Sequence, residues 1–241
     1  MPVFELTERI AFPPPRFAQK EGLLAMGGDL SENRLLLAYK MGIFPWYSHD
    51  DPILWWSPNP RMVLYPDELQ VSQSLKKVIK KHQFHITMDT VFAEVIRSCA
   101  QVRLEQDEGT WLSEEMIDAY CNLHRLGFAH SVEAWHDGKL AGGLYGVSLG
   151  KAFFGESMFT RVSNASKAAF VTFVEYLKKQ MFHLIDCQVK TAHLRRFGAR
   201  EISRSLFLEQ LEKAVQCPTN VGRWRFDDDI CQKSPTIAVS P

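Results

Sequence analysis

The chain has 241 residues, 46% of them hydrophobic and 23% charged, with 28 basic residues balancing 28 acidic ones. That length supports a sizeable core in one large domain or two unequal ones. Zero formal charge excludes nucleic-acid binding through a whole-molecule field, so any such affinity needs a local patch.

Residues 1–61 are rich in Pro, Gly and Trp and are expected to form a small N-terminal domain of rigid irregular structure with one short helix. Ser31 can cap that helix, Leu30, Leu37 and Met41 share a face, and Gly42 followed by Pro45 ends it. From residue 62 to 241 the pattern becomes mixed α+β. Ser72 to Lys81 reads as a short basic helix and Phe84 to Asp89 as a strand, and Thr90 caps a helix reaching about Ala100. Ser113 caps the next helix, with Glu114 and Glu115 suited to its positive end and Gly127 as its stop. A three-strand meander follows: Phe128–Trp135, a turn at Asp137-Gly138, Leu140–Ser148, a turn at Gly150, then Ala152–Phe159. Ser163 or Asn164 caps a helix in which Ala165, Ala169, Phe173 and Leu177 recur every four residues. A strand at Leu184–Val189, a helix beginning near Ser205 and a loose polar tail after Cys217 complete the chain.

The polar residues that matter lie in strands. Glu156 interrupts the apolar run from Phe153 to Phe159, and Asp186 and Gln188 interrupt the next strand. Desolvated carboxylates with no evident structural need mark chemistry. Strand alternation puts Asp186 and Gln188 on one side and Cys187 on the other, so Cys187 reads as a small core residue. His193 could pair with Cys187 across the following turn. The glycines Gly142, Gly143 and Gly146 lie within a strand and mark a bulge or close backbone packing, not a phosphate loop. The five cysteines follow no metal-type spacing and fit the free thiols of a reduced cytoplasmic protein. No run of membrane-spanning length is present, and no export signal is expected.

Several segments resemble one family in order along the chain. They are Gly22-Leu23-Leu24-Ala25-Met26-Gly27-Gly28-Asp29-Leu30, Gly42-Ile43-Phe44-Pro45-Trp46, Trp55-Trp56-Ser57-Pro58, Glu108-Gly109-Thr110-Trp111, Gly155-Glu156-Ser157-Met158-Phe159, Asn164-Ala165-Ser166-Lys167 and Ile185-Asp186-Cys187-Gln188. Together they are similar to the signatures of leucyl/phenylalanyl-tRNA–protein transferases. The resemblance implies an acetyltransferase-like (GNAT-like) mixed sheet domain behind the small N-terminal one, with no metal or coenzyme. It implies a cytoplasmic enzyme, expected as a monomer away from membranes. Leu or Phe, with Met as a further donor, would pass from Leu-tRNA or Phe-tRNA to the N-terminal Arg or Lys of a protein, marking that protein for degradation. Leu144 stands where the family commonly has Met.

On that reading the Gln188 carbonyl accepts a hydrogen bond from the attacking amine. Asp186 fixes its orientation and favours the developing positive charge, while Glu156 places the aminoacyl group or the cationic acceptor. Phe153, Phe173, Ile185 and Leu144 are candidate walls for the donor side chain. Trp46 and Trp111 suit stacking on the terminal adenosine. Lys76, Lys77, Lys80 and Lys81 crowd one side of their helix, a surface suited to tRNA phosphates. Two alternatives remain at this point: an acyl-coenzyme-dependent small-molecule N-acetyltransferase, which would need a glycine-rich pyrophosphate loop, and a non-catalytic tRNA-binding protein, which would leave Asp186 and Gln188 without work. Asp186 and Glu156 could also be plain salt-bridge carboxylates.

Overall fold

Strands build two sheets, and helices cover both faces of the larger one, whose central strands are buried nearly throughout. The structure is a computed structural model describing residues 3–48, 51–105 and 112–226, with side chains described except at 103–105. The first sheet uses β1 (Phe4–Leu6), β2 (Leu23–Gly27), β3 (Phe44–Pro45) and β4 (Leu54–Trp56), in the order β1-β2-β4-β3. The segment expected to be irregular apart from one helix therefore carries a sheet. Its strands are two to five residues long, too short for a period-2 pattern to emerge among Pro and Trp. Helix α1 (Glu32–Lys40) follows Ser31 as expected, but buries Arg34, Leu35, Ala38 and Tyr39 rather than a Leu37–Met41 stripe. Ser31 makes no side-chain cap. Buried Arg34 instead donates to the Thr7 carbonyl at 2.9 Å and to Asp29 at 3.1 Å, tying the N-terminal strand to the helix.

The second sheet has seven strands: β5 (Arg61–Leu64), β6 (His85–Met88), β7 (Ala129–His136), β8 (Lys139–Leu149), β9 (Ala152–Thr160), β10 (Leu184–Gln188) and β11 (Arg200–Ile202). Their order is β11-β5-β10-β9-β8-β7-β6, antiparallel throughout except for the β9–β10 pair. The meander falls where the turn signals put it, with positive φ at both Asp137 (50°) and Gly138 (72°) closing the β7–β8 hairpin. A Cβ on Gly146 would lie 2.1 Å from the Phe154 carbonyl oxygen, so this strand position requires glycine beside a register shift.

Alternation along these strands feeds two apolar clusters. Val63, Phe154 and Leu184 face a cluster with α1, α3 (Phe92–Glu105), α4 (Glu114–Arg125) and α7 (Arg204–Val215). Met62, Leu64, Phe153 and Ile185 face the other, covered by α2 (Gln73–Lys80) and α5 (Ala165–Lys179). The four-residue repeat of α5 is wholly buried. Ser72, Ser113 and Ser203 cap α2, α4 and α7 by accepting from the backbone three residues on. Thr90 does not cap α3, which starts two residues later; its hydroxyl donates to buried Glu133 at 2.8 Å. The short α6 (Ala192–Arg195) and edge strand β11 carry no periodic signal. The segment after Cys217 is not loose as far as Phe226. Trp224 is buried, stacks on His130 at 3.7 Å between ring centroids, and its backbone N–H donates to Asp89 at 2.7 Å.

Candidate active site

The sheet opens at its one parallel pair. β9 and β10 are in register only from Ala152 to Phe154 and from Leu184 to Asp186. Beyond that point both strands bulge. On β9, Gly155 and Ser157 pair with consecutive residues Gly146 and Tyr145, so Glu156 is the extra residue. On β10, Asp186 and Gln188 pair with consecutive residues Val63 and Met62, and Gln188 sits at φ 59°. Bulges re-aim side chains and end pairing, and a left-handed glutamine is sparsely populated backbone that persists where the surroundings enforce it.

Those two bulges bring Glu156 and Gln188 together. Gln188 Nε2 donates to Glu156 Oε1 at 2.7 Å. Tyr39 donates its hydroxyl to Oε1 at 2.8 Å and Tyr120 donates to Oε2 at 3.0 Å, while the two hydroxyls also contact each other. Burial pushes the Glu156 carboxyl up to about 7; the two phenols and the Gln188 amide pull the other way, and the Asp186 charge adds to the rise. Burial, and then the Glu156 charge, raise both phenols well above their ordinary value. With its amide nitrogen held by the carboxylate, Gln188 presents its carbonyl as the acceptor for a group in the cleft.

Asp186 lies on the opposite face from Cys187, as alternation requires, but the bulge turns Gln188 to the Cys187 side, so Asp186 and Gln188 do not share a face and Asp186 does not line the cleft. It is fully buried in a two-point pair with Arg61: Nε donates to Oδ1 at 2.8 Å and Nη2 to Oδ2 at 2.6 Å. The Arg61 guanidinium lies between the Phe44 and Phe207 rings, 4.8 and 4.6 Å from their centroids. The salt-bridge reading thus holds for Asp186, and its charge is matched by Arg61 rather than aimed at the cleft. Asp186 reaches Gln188 through the backbone instead: Oδ1 accepts the Gln188 N–H at 2.9 Å, which holds the left-handed turn.

The cleft measures about 410 Å³, within the ~300–1,000 Å³ range of small-molecule sites. Leu144, Phe153 and Ile185 line it as the sequence suggests, and Phe170 does so in addition. Phe173 does not. It is buried one helical turn further along α5 and meets Phe153 edge-on at 4.7 Å, so it backs the wall rather than forming it. Cys187 and His193 both border the cleft, with burial raising the Cys187 thiol and lowering the half-buried His193. Trp46 is 44% exposed and tilts against Trp56 at 5.7 Å, outside the cleft lining. Trp111 lies outside the described residues. Lys76, Lys77, Lys80 and Lys81 are all exposed, above buried Leu75 and half-buried Val78 and Ile79. Among the described residues no group of His, Cys, Asp and Glu is arranged to hold a metal ion. No described helix is long and apolar enough to cross a membrane.

Three site residues were not legible beforehand. Tyr39 and Tyr120 sit in ordinary helix-core positions, and Arg61 follows a Pro-rich turn. Each is brought to the site only by contacts between elements distant in the chain.

Comparison with known proteins bears on this arrangement. Residues 63–212 match the leucyl/phenylalanyl-tRNA protein transferase family, and residues 28–59 match its N-terminal domain. A leucyl/phenylalanyl-tRNA--protein transferase of Desulfatibacillum aliphaticivorans is 57% identical over 95% of this chain and 98% of its own length. One from Syntrophobacter fumaroxidans is 56% identical over 98% of this chain and 100% of its own. Among solved structures, L-PGS from Bacillus licheniformis aligns at a TM-score of 0.42 and 9% identity, over 80% of this chain and 73% of that one.

Proposed function

The chain belongs to the leucyl/phenylalanyl-tRNA–protein transferase family, and from that premise we propose that its cleft joins Leu or Phe, carried on tRNA, to the N-terminal Arg or Lys of an acceptor protein. It is an aminoacyltransferase, and the bond it makes is a peptide bond. The product would carry a new N-terminal Leu or Phe, the mark that directs it to degradation. Met is a further donor that the same cleft could accept.

The observation that carries this reading is Gln188 at the cleft mouth, held on two sides. Asp186 fixes its backbone N–H, and Glu156 fixes its amide nitrogen. The chemistry asks for little more than such placement. An aminoacyl ester is already activated, and an N-terminal amine titrates near ~8, so a useful fraction is nucleophilic at neutral pH. Holding the two reactants in line can then supply most of the acceleration. The Gln188 carbonyl accepts an N–H of the attacking amine and aims its lone pair at the ester carbon. Asp186, matched by Arg61, acts as a positioning residue. The donor side chain enters between Leu144, Phe153, Phe170 and Ile185, apolar walls that suit Leu or Phe.

We assign residues 1–61 to a small domain and the rest to a catalytic one with an acetyltransferase-like layout. The splayed parallel β9–β10 pair and the helix between them support that assignment. The tRNA acceptor stem lies along α2 on Lys76, Lys77, Lys80 and Lys81, and Trp46 and Trp111 meet the terminal adenosine. The protein acts as a monomer in the cytoplasm, where charged tRNA is found. Incubation with radiolabelled Leu-tRNA and a protein beginning with Arg or Lys tests the reading. Label appears on the acceptor and is lost when its N-terminus is acetylated; label confined to the tRNA and free Leu would overturn it.

A further inference from the structure

Two phenols end on the carboxyl of Glu156. Tyr39 comes from α1 and Tyr120 from α4, and neither has any solvent exposure. Packing alone requires neither hydroxyl, because phenylalanine would fill each place and leave no polar atom to satisfy.

The three oxygen–oxygen contacts close a ring: Tyr39 to Oε1, Tyr120 to Oε2, and hydroxyl to hydroxyl. Each contact needs one proton, and the phenols supply two. When Glu156 is ionised, both phenols donate to the carboxylate and the hydroxyl–hydroxyl contact has no proton. A third proton on Oε2 completes the circuit, with Oε2–H donating to Tyr120, Tyr120 to Tyr39, and Tyr39 to Oε1. Oε1 accepts from Gln188 Nε2 in both states. Proton uptake therefore needs only the Tyr120 hydroxyl hydrogen to turn, with no heavy atom displaced, and leaves the hold on Gln188 in place. Asp186 is bonded by N–H groups of Arg61 and Gln188, which cannot accept a hydrogen bond in return, and has no such ring to complete.

We infer that Glu156 is the proton acceptor for the incoming α-ammonium, and that Tyr39 and Tyr120 are positioning residues that keep its carboxyl aimed and able to hold that proton. The inference rests on the transferase reading of the cleft. The ammonium gives one proton to ionised Glu156, and the freed amine attacks the ester carbon. The bond from that carbon to the ribose oxygen breaks as a second N–H proton passes to the oxygen. The proton held by the ring then leaves to water, so the cycle balances. The titratable and charged groups around Glu156 are Tyr39, Tyr120 and Tyr145 from three elements, Asp186 from β10, matched by Arg61, and Cys187 and His193, which border the same cleft. A carboxyl raised to about 7 is a suitable receiver for a proton from an amine near ~8.

Two measurements test this on the full-length protein: the pH dependence of kcat for label transfer, and infrared titration of the protonated-carboxyl stretch. In the wild type both titrate near pH 7. Tyr39→Phe and Tyr120→Phe each remove a donor to the anion. The acid limb and the infrared signal therefore both move up by at least about 0.5 pH, with KM for aminoacyl-tRNA little changed. The acceptor amine is common to all variants and moves nothing. Glu156→Gln abolishes the infrared signal and lowers kcat at least about tenfold. Folded Phe variants with unmoved limbs overturn the acceptor role while leaving the transferase reading intact. A wild type that transfers no label overturns the transferase reading itself.

Discussion

Removing Asp186 separates what the buried ion pair does for the fold from what it does for Gln188. Asp186→Ala leaves the Arg61 guanidinium buried between Phe44 and Phe207 with neither of its carboxylate bonds. Breaking a buried pair from one side costs about 3–5 kcal/mol, a large share of the roughly 5–15 kcal/mol that holds a domain folded. At ~2–4 °C per kcal/mol for a chain of this size, the melting temperature should fall by about 6–20 °C. Replacing both partners, as Arg61→Leu with Asp186→Leu, removes the stranded charge, and most of the stability should return. Catalysis should not. In either variant the Gln188 N–H loses its acceptor, and a left-handed glutamine costing about 1–3 kcal/mol is free to relax. Turnover should drop at least about tenfold in both variants, with KM for aminoacyl-tRNA nearly unchanged, because an interaction used mainly in the transition state has been lost. Thermal melts paired with label-transfer kinetics read both quantities. A double variant that is stable and turns over at the wild-type rate would refute the positioning role, and an Asp186→Ala protein as stable as wild type would refute the energetic account of the pair.

Four further outcomes follow from the geometry. Phe170→Ala should loosen selection among Leu, Phe and Val donors by about 1–3 kcal/mol in kcat/KM ratios, because Phe170 faces the cleft. Phe173→Ala should instead appear mainly as about 3–5 kcal/mol lost in urea melts, since it packs behind Phe153. Replacing Lys76, Lys77, Lys80 and Lys81 by Ala should raise KM for aminoacyl-tRNA and reduce the log–log salt slope by about 3–4, while activity on a short aminoacyl-adenosine survives; equal loss on both substrates would move the docking surface elsewhere. Trp224→Ala should cost about 3–5 kcal/mol by thermal melt, because the segment after Cys217 is stapled over His130 by this ring; a neutral result would return that segment to a loose tail.

Much of the larger sheet was written locally. Asp137-Gly138 closes its hairpin, Ser72 and Ser113 open their helices, and the four-residue repeat from Ala165 to Leu177 names the buried face of α5. Such signals depend only on backbone sterics and nearest turns, so one chain suffices to read them. The same holds for Glu156, Asp186 and Gln188, polar residues conspicuous inside apolar strands. Tertiary structure decided the rest. The small sheet escaped notice because strands of a few residues have no measurable period. Asp186 proved to be paired because Arg61, 125 residues away in sequence, reaches it across the sheet. Phe170 rather than Phe173 faces the cleft because the splay of β9 from β10 sets how far along α5 the opening reaches. Tyr39 and Tyr120 meet on Glu156 because two separate helices pack on one face of the sheet. Local composition carries no record of such meetings, which exist only once the long-range contacts have formed.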